Sequence, residues 1–116
     1  MKIATTIGEM YKFTTSPAEA IKTYEGSGFK YLDYSFFSVL SDKDSYLLSD
    51  NWKEHIFECK NIADNFGFSF VQAHAPACSI CGDDAEIGLT ATIRSIEACG
   101  ILGIRNMVIH SGFLAD

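Results

Sequence analysis

Three amphipathic stretches, each closed by a glycine and followed by a short extended run, constrain the fold of this chain more than any other feature. In the first, Ser16 stands as N-cap, Pro17 at the first helical position and Glu19 three residues after the cap, which together make a capping box with a proline start. Gly28 suits a left-handed C-terminal cap, and "FKYLDYS" (29–35) then reads as a strand.

The second stretch opens at Asp50 or Asn51. It carries Trp52, Ile56, Cys59, Ile62, Ala63 and Phe66 on one helical face and stops at Gly67 before the strand "FSFVQAH" (68–74). The third starts near Thr90 or Thr92, presents Ile93, Ile96 and Cys99, and stops by Gly103 before the strand "IRNMVIH" (104–110). A β-branched run, "KIATTIG" (2–8), precedes all three as a first strand. Naming these segments in chain order gives β1-α1-β2-α2-β3-α3-β4, with a helix–glycine–strand period in the high thirties. Such alternation predicts an α/β fold of parallel strands joined by right-handed crossovers.

The chain has 116 residues with 47% hydrophobic and 21% charged content, the profile of one folded domain spanning 1–116. A chain of this length buries only about two-thirds of its unfolded surface, so a partner would add much to its stability. The net charge of −6, with nine scattered Lys and Arg, argues against a nucleic-acid partner, because such affinity comes from cations displacing phosphate counterions. No apolar run approaches the ~20 residues of a membrane span, and "MKIATTIGEM" does not read as an export signal. The expectation is a cytoplasmic protein without membrane contact, its four cysteines reduced.

The residues able to do chemistry gather where strands end. His74 and His110 each close a strand, and neutral imidazole is a common ligand for zinc and other transition ions. If His74 faces inward, strand alternation turns Gln72 and Phe70 the same way, and His110 likewise brings Val108 and Asn106. The two rings would then top adjacent strands roughly 5 Å apart. The plainer alternative is that each histidine only bonds to backbone at its strand end. Two imidazoles fall short of the three protein ligands usual for catalytic zinc. "CSIC", with Cys78 and Cys81, has the spacing of a redox pair or half a zinc knuckle, but it lies in a loop with no second such pair, which favours plain reduced thiols. Cys59 and Cys99 read as core residues, and His55 as a solvated helical position beside Glu54. Neither a GxGxxG nor a Walker pattern occurs.

"GFKYLDYS", "FSFVQAHAP" and "IRNMVIHSG", each preceded by a helix ending in glycine, resemble the first half of the xylose isomerase-like barrels over nearly the whole chain. That superfamily includes sugar-phosphate isomerases and epimerases and endonuclease IV-type enzymes. The resemblance implies a (β/α)8 barrel, ordinarily of about 250 residues, of which this chain holds the first four strands: a parallel half-barrel. It places His74 and His110 at the active site, where several branches bind a divalent metal (Zn, Mn, Mg or Co). It puts Asp33 where an acidic residue holds substrate or metal-bound water. The remaining ligands and the catalytic carboxylates belong to strands five to eight, so the catalytic residues are expected in a second half. Metal is expected to be weakly bound or absent in the isolated chain, and that chain to be inactive.

The implied function is a metal-dependent sugar or sugar-phosphate isomerase or epimerase, moving a proton next to a carbonyl. In the long loop "FFSVLSDKDSYLLSDN" (36–51), Phe36, Phe37 and Tyr46 would wall a sugar ring, or simply pack the loop down. Two alternatives accompany this reading. One is an endonuclease acting on abasic DNA, which the acidic balance disfavours. The other is a non-catalytic assembly module in which a homo-oligomer completes the barrel.

Overall fold

The computed structural model describes residues 1–42, 44–78 and 82–110. Its strands are β1 (Ala4–Thr6), β2 (Tyr31–Ser35), β3 (Ser69–His74) and β4 (Met107–Val108), and its helices α1 (Pro17–Lys22), α2 (Trp52–Phe66) and α3 (Ala85–Leu102). Two short 3₁₀ turns, Ile7–Met10 and Tyr46–Leu48, follow β1 and precede α2. The strands form one all-parallel sheet in the order β1-β2-β3-β4, with a helix in each crossover, as the alternation of segments predicts.

Helix starts and stops depart from the sequence pattern in two places. Half of the capping box at α1 forms: Ser16 Oγ accepts from the Glu19 N–H at 3.2 Å, while the Glu19 carboxylate reaches past the cap to Thr15 and accepts from its N–H and its hydroxyl at 2.8 Å. Yet α1 stops at Lys22, six residues before Gly28. Thr23 closes it in a right-handed conformation, its hydroxyl donating to the Ala20 carbonyl at 2.7 Å. Tyr24 then turns its ring into the core and donates from its hydroxyl to the Thr6 carbonyl at 2.8 Å. That anchor competes with a further helical turn.

Helix α3 starts at Ala85, well before Thr90, and runs through Gly88. A mid-helix glycine costs about 1 kcal/mol relative to alanine, but here it lies buried with Ala91, Ser95 and Ala98 on the face that meets the sheet. The apolar face expected of α3 is therefore misassigned in part. Cys99 is buried as expected, whereas Ile93 and Ile96 are 48% and 52% exposed. Small residues line the buried side, where Ser95 and Cys99 touch Met107 of β4, and the large aliphatics are turned out. Helix α2 follows its pattern at Trp52, Ile56, Cys59 and Ala63, which are buried, whereas Ile62 is half-buried and Phe66, in the last turn, is exposed. Gly67 and Gly103 take left-handed φ values of 73° and 74° as its C-cap and that of α3.

Register fixes which residues share a face. Tyr34, Ala73 and Met107 stand side by side on β2, β3 and β4. The Tyr34 hydroxyl lies 3.6 Å from Cys59 Sγ of α2, and the Met107 sulfur lies 3.7 Å from Ser95 Oγ and 3.8 Å from Cys99 Sγ of α3. Helix α1 packs on α2, and α2 on α3. All three helices thus cover one side of the sheet, over a core of Leu32, Tyr34, Phe36, Ile21, Ile56 and Ala73. The next row, Ser35, His74 and Val108, points to the side that carries no helix.

Candidate functional site

The site is built on that bare face, at the C-terminal end of the strands. Asp33 is one residue before Tyr34, so pleating turns its carboxylate away from the helices. Its side chain is 9% exposed, and the His74 ring above it 33%. His74 Nδ1 lies 2.9 Å from Asp33 Oδ2 and 3.1 Å from Oδ1, while Gln72 Nε2 donates to Oδ2 at 2.8 Å. An ionised carboxylate only accepts, so the proton of this contact sits on His74 Nδ1 and the neutral ring presents its lone pair at Nε2.

A register slip creates this arrangement. Leu32 pairs with Phe70, but Asp33 pairs with Gln72, leaving Val71 without a partner. Strict alternation would put Phe70 beside Gln72 and His74. Instead Phe70 is buried in the core with its ring edge-on to Tyr34 at 5.5 Å, while Gln72 and His74 both reach Asp33. The inward placement expected of Phe70 is thereby corrected.

Beyond β4, the ring of His110 stacks over His74 with centroids 6.1 Å apart and 19° between planes. The Phe37 ring meets His110 edge-on at 5.4 Å, and the Phe37 carbonyl accepts from Ala77 N–H at 2.9 Å, tying the loops after β2 and β3 together. Asp33 of β2, His74 of β3, and Phe37 and His110, which follow β2 and β4, are thus assembled into one patch. Phe36 does not join them. It is fully buried against Tyr34, with centroids 4.6 Å apart, and has no surface to offer a ligand.

Tyr46 and His55 lie elsewhere. Their rings are 5.8 Å apart on the wall of a cleft of about 280 Å³ between the loops that follow β1 and β2. His55 is half-buried there and not the freely solvated residue its helical position suggests. The Tyr46 hydroxyl meets that of Tyr34 at 3.1 Å, and burial pushes the phenols of Tyr11, Tyr34 and Tyr46 well above their ordinary range.

Burial likewise pushes the Cys59 and Cys99 thiols up to about 11, which makes them inert core groups. Cys78 is half-buried, its Sγ 3.6 Å from the Gly88 carbonyl and 3.7 Å from Thr92 Oγ1 of α3. Cys81, the other half of "CSIC", lies outside the described residues.

The donor set limits what the patch holds by itself. His74 and His110 are two imidazoles, and Asp33 is occupied as the partner of His74. Among the described residues no group of three His, Cys, Asp or Glu stands where it could hold a metal ion. A carboxylate on the far nitrogen of an imidazole is the arrangement that orients a metal-ligating histidine, and equally one that orients a catalytic base. Comparison with protein-family models, with curated proteins and with solved structures finds no match to this chain. Among the described residues no helix is long and apolar enough to cross a membrane.

Gln72 is the residue of this patch that the sequence leaves without a role. Its signal is the Gln-x-His spacing that places both side chains on one face of β3, but that spacing alone does not reveal that both meet Asp33.

Proposed function

We propose that the chain is one half of a xylose isomerase-like (β/α)8 barrel, and that its Asp33–His74–His110 patch is the substrate-holding half of a sugar or sugar-phosphate isomerase or epimerase site. Curvature supports the barrel. Strands lie about 4.8 Å apart, helices pack about 8–10 Å apart, and here the three crossover helices lie on a single side. Three helix axes side by side span about 16–20 Å, against about 14 Å for four strands, which favours a sheet that curls with the helices on its outer, wider arc. The bare face is then the concave one, and the strand ends bearing Asp33, His74 and His110 are the end where barrel enzymes keep their chemistry.

The observation that carries the functional reading is the hydrogen bond from His74 Nδ1 to the buried Asp33 carboxylate. It fixes the ring and turns Nε2 into the atom offered to a ligand. Asp33 therefore serves the site by orienting His74, whereas the resemblance implies that it holds substrate or metal-bound water. In proton transfer next to a carbonyl, Nε2 of His74 binds a substrate hydroxyl or holds the proton in transit. His110, parallel to it, borders the same space, and Phe37 closes one side. A divalent ion, where one is held, polarises the substrate oxygen. His74 and His110 are the two donors this chain brings to it, and the others come from a second half.

Titration with Co²⁺, followed by a ketose and its phosphate ester, tests this reading through the histidine ring protons. The expected result is displacement of the His74 and His110 signals, with His55 unmoved, and loss of the His110 response in His74→Ala. Unchanged His74 and His110 signals at millimolar Co²⁺ and ligand would overturn it.

A further inference from the structure

We propose that the cleft between the loops after β1 and β2 is a second binding site, separate from the histidine patch, and that it takes a small polyhydroxylated ammonium ion. The cleft is built from residues 11–55 alone, so this site stands whether or not the histidine patch does the chemistry proposed above.

Contacts between the two loops hold its walls. The Tyr11 hydroxyl donates to the Ser35 carbonyl at 2.8 Å, and the Tyr46 hydroxyl meets that of Tyr34 at 3.1 Å. Just past Tyr46, Arg94 Nη1 of α3 donates to the Leu47 and Ser49 carbonyls at 2.8 and 3.1 Å. Gly8 lies so near β2 that a Cβ there would come within 2.9 Å of the Ser35 Cβ. The cleft, of about 280 Å³, is therefore pre-formed, and it stands at the small end of the range of ligand pockets. Pro17, Val39 and the Tyr46 ring give it apolar surface.

The polar groups of the lining decide what fits. A hydroxyl has one proton to give, and those of Tyr11, Thr14 and Thr15 are spent on the Ser35 carbonyl, on the Met10 carbonyl at 2.9 Å and on the Glu19 carboxylate at 2.8 Å. Burial pushes the Tyr11 phenol well above its ordinary range, so that proton stays in place. The Asp42 and Asp44 carboxylates only accept. All of these groups offer lone pairs, and among the described residues no lysine or arginine lines the cleft. Ser16 and Ser45, whose oxygens accept from backbone N–H groups, keep their protons for oxygens of a ligand. The complement is a molecule that brings N–H and O–H protons and a positive charge; a phosphate or carboxylate would meet like charge. Among the described residues no group of three His, Cys, Asp or Glu stands where it could hold a metal ion, which favours an organic cation.

Titration at neutral pH with glucamine, sorbitol and gluconate, which share one hydroxylated carbon chain and differ in the charge at its end, tests the proposal through the ring signals of Tyr46 and His55. Glucamine is expected to displace both at millimolar concentration while His74 and His110 stay in place, sorbitol to act more weakly and gluconate not at all. In the double variant Asp42→Asn with Asp44→Asn, residue 42 keeps an Oδ1 to accept from the residue 44 N–H, a bond of 3.0 Å, and glucamine is expected to bind about tenfold more weakly. Should the double variant not fold, either substitution alone is expected to weaken binding about threefold. Tyr46 and His55 signals unmoved by glucamine overturn the proposal. So does an equal response to gluconate, or an affinity unchanged in the folded variants. Displacement of His74 and His110 in place of His55 assigns the ligand to the histidine patch and overturns it as well.

Discussion

The two faces of the sheet come from the same strands, residue by residue, and do opposite work. On the helix side, Leu32, Tyr34, Phe36 and Ala73 are sealed under α2 and its neighbours, and the polar atoms there, such as the Tyr34 hydroxyl, are satisfied by Tyr46 and Cys59. On the bare side, Gln72 and His74 both bond to Asp33, which leaves His74 Nε2 free of that contact, and the exposed His110 ring stacks on His74. One residue of displacement along β2 separates a core position from a site position. The molecule therefore keeps apolar packing on one face and hydrogen-bonded polar groups on the other, and substitutions distinguish them.

The largest effect belongs to the core face. Leu32→Ala removes a fully buried side chain and is expected to lower stability by about 2–5 kcal/mol, while the His74 ring signals of the remaining folded protein stay in place. Chemical denaturation together with histidine NMR checks both halves of that statement.

Next comes the chemistry of the buried thiols. Cys59 is raised to about 11 from an ordinary value of 9.0, so the unfolded chain releases its proton first as pH rises. Stability is full below pH 9 and falls between about 9 and 11, by an amount on the order of 2–3 kcal/mol for this group. Thermal melts across that range should show a smaller slope in Cys59→Ala than in the wild type. The same burial predicts that Cys59 and Cys99 resist alkylation in the native protein at pH 8, while Cys78 reacts.

On the bare face, Asp33→Ala is expected to cost about 1–3 kcal/mol, because it removes the acceptor shared by Gln72 and His74. Its sharper consequence is spectroscopic: the His74 ring loses the partner that holds its proton on Nδ1. A His74 ring signal unmoved in Asp33→Ala, or displaced in folded Leu32→Ala, would break the distinction between the faces.

The smallest effect is on the outer side of α3. Ile93→Gln and Ile96→Gln are expected to change stability by no more than about 0.5 kcal/mol, whereas Ala91→Leu, on the buried side, overpacks the helix against the sheet and costs about 1–3 kcal/mol. Urea midpoints of the three variants give the ranking.

That contrast on α3 also measures how much of the structure was legible in the residues. The strand–helix alternation, the N-cap at Ser16 and the terminal glycines at Gly67 and Gly103 are local signals, and local chemistry decides them. The face of α3 was not legible, because hydrophobicity points to Ile93 and Ile96 while the buried side carries Gly88, Ala91, Ser95 and Ala98. The early stop of α1 depends on Tyr24 finding the Thr6 carbonyl across the fold, which no window around Lys22 contains. For the site, the position of His74 at the end of β3 follows from the repeat, but β4 stops at Val108, so His110 lies two residues past its strand, where its ring stacks on that of His74. The pairing of Asp33 with His74 needs the slip at Val71, a tertiary adjustment that alternation alone would miss. The same slip removes Phe70 from the bare face, and the packing of Phe36 on Tyr34 removes a second aromatic from the expected ligand wall.

The central claim is that Asp33 holds His74 with its proton on Nδ1 and its lone pair on Nε2, facing the open side. Long-range proton–nitrogen correlation of the histidine rings, recorded well above the pH at which imidazole titrates, reads this directly. The account predicts the Nδ1–H form for His74 and the Nε2–H form, preferred by free imidazole side chains, for His55 and His110. A His74 ring in the Nε2–H form, or one unchanged in Asp33→Ala, would contradict it.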